Sequence, residues 1–224
     1  MKVATTHRRF MEWTEAGLWR RLHQAVLDEL GSRGMIDWSR AMLDGASLRA
    51  KRGTGNRPEP GRSRQARFQD PRLSDRSGTP LAVGISAANT HDNAALKPLV
   101  LAIPAIRSRR GPRRFRPTKL HADKTYDVAE LRDWLRNRGI VPRLARKGIE
   151  SSTKLGRHRW VIERTIAWLS GYRRLTIRYE RYGTLFRGFL TLAAALTATR
   201  NSPSETSSNT ATTGCNLMGS ASGS

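Results

Sequence analysis

Apolar residues recur at helical spacing between residues 8 and 31: Phe10, Trp13, Leu18, Leu22, Val26 and Leu30, with charged positions between them. The pattern predicts a basic amphipathic helix, broken near Gly17 and stopped at Gly31. Residues 35–44, M-I-D-W-S-R-A-M-L-D, read as a strand that ends on an acid. A buried-type strand is expected over residues 80–86 and a helix over 92–102. Residues 119–123 form a second short strand ending on an Asp. A helix over 128–138 closes at Gly139, and a further strand spans 140–145. Two more helices are predicted, amphipathic over 157–170 and apolar over 183–200. Strands alternating with helices indicate an α/β domain around a central sheet. One stretch breaks the pattern: residues 51–78 are rich in Arg, Gly, Pro and Ser and read as a disordered loop.

Charge adds a partner to this outline. Lys and Arg number 41 against 18 Asp and Glu, a formal net charge of +23. That excess calls for a polyanion, either nucleic acid or an anionic membrane surface. Most of the basic residues are Arg, whose planar fork grips phosphate, although a GC-rich genome produces the same bias. The single cysteine, Cys215, excludes an intramolecular disulfide framework and a cysteine zinc site. The longest apolar run, 189–198, is too short to cross a bilayer, and the first residues lack the apolar core of a signal peptide. A cytoplasmic protein with no membrane partner is expected. Arginine clusters at Arg107, Arg109, Arg110, Arg113, Arg114 and Arg116, and again around Arg173 and Arg174, are candidate backbone-binding surfaces.

In so basic a chain the acids are informative. Asp44 and Asp123 each end a predicted strand, and Glu163 lies within a predicted helix between Arg159 and Arg164. Two or three converging carboxylates are what divalent-metal catalysis on phosphodiesters requires. On spacing alone, the stronger reading is Asp44 as a turn cap and Glu163 as a partner of its helical arginines, since three acids can be chosen from 18 in many ways.

The wording around these acids resembles the DDE transposases of bacterial insertion sequences, in the insertion-sequence-five group. Three blocks carry the resemblance: L-D-G-A-S-L-R-A at 43–50, H-A-D-K-T-Y-D at 121–127, and R-H-R-W-V-I-E-R-T-I-A-W-L at 157–169 followed by Y-R-R-L at 172–175. The resemblance implies a ribonuclease-H-like mixed sheet flanked by helices. Asp44 belongs on its first strand, Asp123 at its fourth, and Glu163 on the helix after the last strand. It implies Mg²⁺-dependent (or Mn²⁺-dependent) DNA strand cleavage and transfer, with two ions held by Asp44, Asp123 and Glu163. Double-stranded DNA, as terminal inverted repeats and target, is the implied partner, together with a homo-oligomer in the synaptic complex and a nucleoid-associated location. Arg159 faces a phosphate or the acids, and Lys124 and Tyr126 lie near the cleavage site; packing behind Asp123 is the other role open to Tyr126.

On this basis residues 1–34 are what remains of a DNA-end-binding helical region, 35–200 the catalytic domain with an atypical segment at 52–78, and 201–224 a disordered tail. Within the atypical segment, residues 61–72 depart from the family, which places a basic strand of the kind V-D-R-G-K-P-G-S-K-I-H there. A codon string for residues 61–71 yields that peptide when read one nucleotide over, so a compensated frameshift is inferred. The second strand is then expected to be damaged, irregular over 61–72, and to leave the Asp44 strand short of a partner. The readings left open are a transposase, active or as a decayed copy, and a non-catalytic DNA-binding remnant. A ribosomal-type RNA-binding protein ranks last, since it gives no reason for three acids to converge.

Overall fold

The computed structural model describes residues 3–50, 67–87, 91–146, 171–175, 177–178, 180 and 182–200. The N-terminal periodicity yields two helices, α1 (Val3–Glu15) and α2 (Leu18–Ser32), parted at Gly17, whose φ of +68° suits glycine. Gly31 does not stop α2. A Cβ there would lie 2.1 Å from the Arg107 carbonyl oxygen, so this glycine admits a close approach of the loop over 103–117. Leu27 and Leu30 of α2 enter the same core as the sheet, and the His23 ring is bonded to the Pro80 carbonyl at 2.9 Å.

The strands are β1 (Ala41–Ala50), β2 (Arg67–Asp75), β3 (Pro80–Val83), β4 (Ser86–Ala87), β5 (Lys119–Ala122), β6 (Val141–Leu144) and β7 (Ile177–Arg178). Five of them form the spine in the order β3-β2-β1-β5-β6, while β4 pairs with β2 and β7 with β1. The first three spine strands run antiparallel, and β5 and β6 run parallel to β1. Among the described residues, helices α3 (Leu96–Leu101), α4 (Ala129–Asn137) and α5 (Gly183–Arg200) pack with this sheet. This is the ribonuclease-H-like arrangement, a mixed sheet flanked by helices, with Asp44 on its first strand and Asp123 at the end of the fourth strand of the spine. Helix α4 links the two outer parallel strands. It ends where Gly139 takes φ +71° and Ile140 N–H reaches back to the Leu135 carbonyl at 3.0 Å. Asp127 accepts two bonds from Arg132, which also donates to the Leu144 carbonyl at 2.9 Å and so ties α4 to the end of β6.

The main core joins Leu27, Leu43, Leu73, Leu96, Leu120 and Leu135 across the sheet and its helices. A second cluster, Leu175 with Phe186, Leu190 and Ala193, packs α5 against Val83 and Ile85. At Gly188 a Cβ would sit 2.9 Å from Thr14 Oγ1, so α5 presses closely on the α1–α2 elbow, where Phe10 stacks on Phe189. Among the described residues no helix is long and apolar enough to cross a membrane.

Two further expectations from the sequence do not hold. The first strand starts at Ala41 rather than Met35 and runs past Asp44 to Ala50. Ile36 and Trp38 are buried without being in a strand: Asp37 N–H donates to Asp75, and the Trp38 carbonyl accepts from Thr118. Asp75, pushed up to about 6 by burial against the pull of the N–H groups of Asp37, Thr79 and Ser77, anchors this approach. Residues 67–72 are regular strand, not irregular, and β1 is paired with β2 from Ala41↔Asp75 to Arg49↔Arg67; residues 61–66 lie outside the described residues. Pro71 is tolerated for a geometric reason. Its carbonyl accepts from Gly84 N–H at 2.9 Å, and in an antiparallel strand a residue's N–H and C=O point to the same neighbour. The missing N–H therefore faces the gap between β3 and β4, away from the ladder with β1.

What remains costly in β2 is its composition. Asp70 and Arg72 are both buried and paired with each other, and Nε and Nη1 of Arg72 have no acceptor among the described residues. Breaking the pair with Arg72→Met leaves a buried carboxylate behind and should cost about 3–5 kcal/mol in urea unfolding. The double variant Asp70→Val/Arg72→Met should recover at least wild-type stability, because apolar side chains suit these positions better than a partly satisfied ion pair.

Candidate active site

The two aspartates are brought together by backbone register. In the parallel β1–β5 ladder Ala41 faces Leu120, Met42 faces His121 and Leu43 faces Ala122. The next residues along the two strands are Asp44 and Asp123. Leu43 and Ala122 are buried in the core, so alternation turns both aspartates to the opposite face of the sheet. Neighbouring strands lie about 4.8 Å apart, which sets the spacing of the two backbones. Asp44 is half-buried, with Oδ1 accepting from Gly45 N–H at 2.8 Å. Asp123 is exposed and extended (φ −68°, ψ 169°), and its carbonyl receives the Tyr126 N–H at 3.1 Å. Across the antiparallel ladder, Asp44 faces the buried Arg72. A row of Arg72, Asp44 and Asp123 thus crosses three strands.

Side-by-side carboxylates are hard oxygen donors suited to Mg²⁺ or Mn²⁺, and their strand spacing is close to the roughly 4 Å separation of paired catalytic ions. Among the described residues no group of three metal-capable side chains is assembled. Glu163 and Arg159, the remaining members expected from sequence, lie outside the described residues.

The side chains expected at the DNA divide into exposed and internally engaged ones. Lys124 is exposed immediately after Asp123. Tyr126 is 3 % exposed and belongs to the core, which corrects its expected place at the DNA. The arginine loop is closed by reciprocal 2.8 Å bonds between Ile106 and Arg114 and turns at Gly111, with φ +90°. Arg109 and Arg110 stand at its tip, exposed and without a hydrogen bond or ion pair among the described residues. Arg113 instead donates to both Asp28 oxygens at 2.8 and 3.0 Å and to the Ala105 carbonyl at 2.6 Å. Partial burial pushes the Asp28 carboxyl up, but the Arg107 N–H, Arg113 and Gln24 outweigh it and hold it below its ordinary value. Arg114 lies over the Trp38 ring at 5.5 Å. Arg173 is exposed, while Arg174 pairs with the buried Glu180 at 3.3 Å and covers Phe189.

Sequence reasoning missed a second basic surface. A groove of about 330 Å³ is lined by Ser39, Arg40, Arg76, Lys119, His121 and Arg143. Its signal was the alternation of K-L-H-A-D over 119–123, which places Lys119, His121 and Asp123 on one face of β5.

Residues 42–198 match the family model described as Transposase DDE domain, and the chain belongs to that family. The transposase assigned to insertion sequence element IS402 of Burkholderia cepacia is 45 % identical over 124 residues, which cover 55 % of this chain and 59 % of that protein. An uncharacterized 16.2 kDa protein of the same Burkholderia cepacia element is 46 % identical over 46 residues, 20 % of this chain and 31 % of that one. The chain therefore spans less than two thirds of the length of either relative. Among solved structures, the Mos1 strand transfer complex aligns with TM-score 0.40 and 12 % identity, covering 79 % of this chain and 60 % of that one. The catalytic core domain of BIV integrase aligns with TM-score 0.37 and 10 % identity, covering 70 % and 80 %.

The division of the arginines is checked by stability. Arg113→Ala, which removes the pin between the loop and α2, should cost about 1 kcal/mol in urea unfolding, whereas Arg109→Ala and Arg110→Ala should each change it by less than about 0.5 kcal/mol.

Proposed function

We propose that this chain is the catalytic body of a transposase that binds the terminal inverted repeats of an insertion sequence and cleaves and transfers DNA strands. The observation that supports this most directly is the β1–β5 register, which sets Asp44 beside Asp123 on the open face of a ribonuclease-H-like sheet. Asp44, Asp123 and Glu163 would hold two Mg²⁺ or Mn²⁺ ions. When bound, such ions lower the pKa of an attacking water or 3′-hydroxyl and neutralise the leaving oxygen. The chain's own residues do the positioning. The ladder fixes the two aspartates, and Lys124 and Arg159 attract the phosphate. The exposed arginines Arg109, Arg110 and Arg173 hold the DNA backbone away from the reacting atoms.

Residues 1–34 are assigned to binding of the DNA end, residues 35–200 to catalysis, and the working state to a homo-oligomer that synapses two ends in the nucleoid. A second reading, a decayed copy that binds DNA without cutting it, is favoured by one observation: the buried Asp70–Arg72 pair sets a guanidinium in register with Asp44.

One assay tests both. Purified protein with labelled inverted-repeat DNA and Mg²⁺ should nick at the repeat end. Asp44→Asn, Asp123→Asn or Glu163→Gln should each abolish nicking while leaving salt-sensitive DNA binding intact, since none touches the arginine surface. Near wild-type nicking in any of the three variants would remove that acid from the site. Binding without nicking in the unaltered chain would favour the decayed copy.

A further inference from the structure

The groove lined by Arg40, Arg76, Lys119, His121 and Arg143 holds none of the acids or DNA-facing side chains of the active site. It is continuous with that site through β5. Lys119, His121 and Asp123 alternate with the buried Leu120 and Ala122, so the groove and the exposed aspartate share one sheet face. Four residues at about 3.3 Å each place Lys119 about 13 Å from Asp123 along the strand. Register extends the surface sideways: Arg143 of β6 is paired with His121, and Arg40 immediately precedes Ala41, whose partner is Leu120. Arg76 reaches in from the turn after β2, 3.5 Å from Asp37. Asp37 is the acid beside this surface. Partial burial pushes its carboxyl up, but Ser39, Arg76 and Arg40 outweigh that and hold it below its ordinary value.

Four permanent cations drawn into one concavity repel each other, and the exposed Lys119 and Arg143 make no ion pair among the described residues. Such a cluster is stabilised by an anion with several charges spaced along a line, because each phosphate bound displaces counterions from both partners. We propose that this groove is a DNA-backbone subsite, a cradle for consecutive phosphates of the strand that runs on from Asp44 and Asp123 toward the start of β5. The inference rests on the transposase reading and assigns it a track for the DNA away from the reacting phosphate. Lys119 and Arg143 are its principal phosphate ligands because both side chains are exposed and uncommitted. The groove is assigned to phosphates and not bases, since its lining is dominated by cationic side chains that pair with backbone oxygens.

The test is equilibrium binding of the full chain to a labelled mixed-sequence DNA duplex across a salt series. Lys119→Ala/Arg143→Ala should weaken binding and reduce the slope of log K against log salt by about 1.8, that is about 0.9 for each phosphate no longer neutralised. Lys119→Arg/Arg143→Lys should keep the wild-type slope. Neither variant should lower the melting temperature, because neither side chain is buried and the alanine pair removes only mutual repulsion. An unchanged slope in the alanine variant, with binding intact, would overturn the subsite and leave the transposase reading standing. Failure of the unaltered chain to bind the duplex at all would overturn that reading and the groove with it. A slope that falls on a structured RNA but not on the duplex would reject DNA as the ligand.

Discussion

The pairing of β1 with β5 is the constraint on which the rest of this molecule depends. Parallel strands cannot be joined by a hairpin, so the chain leaves β1, builds two antiparallel strands, passes through α3 and the arginine loop, and only then returns beside it. Several long-range contacts serve that return. Trp38 accepts the Thr118 N–H just before β5, Gly31 lets the loop close on α2, and Arg113 fastens it to Asp28. The result is a register in which two residues distant in sequence become neighbours at the open face of the sheet. No direct bond between the aspartate side chains is needed to place them; the backbone ladder does so.

The antiparallel side of β1 shows how much a ladder can absorb. Strand β2 carries a proline, two buried opposite charges and buried Ser74 and Asp75, a poor composition for a central strand. It forms because its backbone is satisfied on the β1 side and because the missing N–H of Pro71 faces away from that ladder. The consequence is local: Arg72 stands opposite Asp44, so the quality of the second strand and the electrostatics of the acidic site are linked.

These elements differ in how legible they were. Asp44 and Asp123 could be read because each comes directly after a buried apolar residue of a short strand pattern, Leu43 and Ala122, and Gly139 because a left-handed residue after an amphipathic helix has one common use. The face of β5 was written plainly in K-L-H-A-D, although its meaning needed the neighbours Arg40 and Arg143. Strand β2 could not be read from composition, since register with β1, and not its own propensity, makes it a strand. Met35–Arg40 misled in the opposite sense: Ile36 and Trp38 are buried in the main core without belonging to a strand. Tyr126 and Arg113 look like DNA ligands in a basic sequence, yet one fills the core and the other holds two segments together. A one-dimensional pattern does not separate a charge committed to an internal partner from one left for a ligand.

The central claim is that Asp44 and Asp123 share a divalent cation, and iron-directed backbone cleavage tests it most directly. Fe²⁺ bound in place of Mg²⁺, with ascorbate and peroxide, cuts the polypeptide where it approaches the ion. Cuts clustered around residues 44 and 123 and in the segment carrying Glu163, suppressed by added Mg²⁺, are the predicted result. Cuts that avoid residues 44 and 123, or that Mg²⁺ does not suppress, would contradict it.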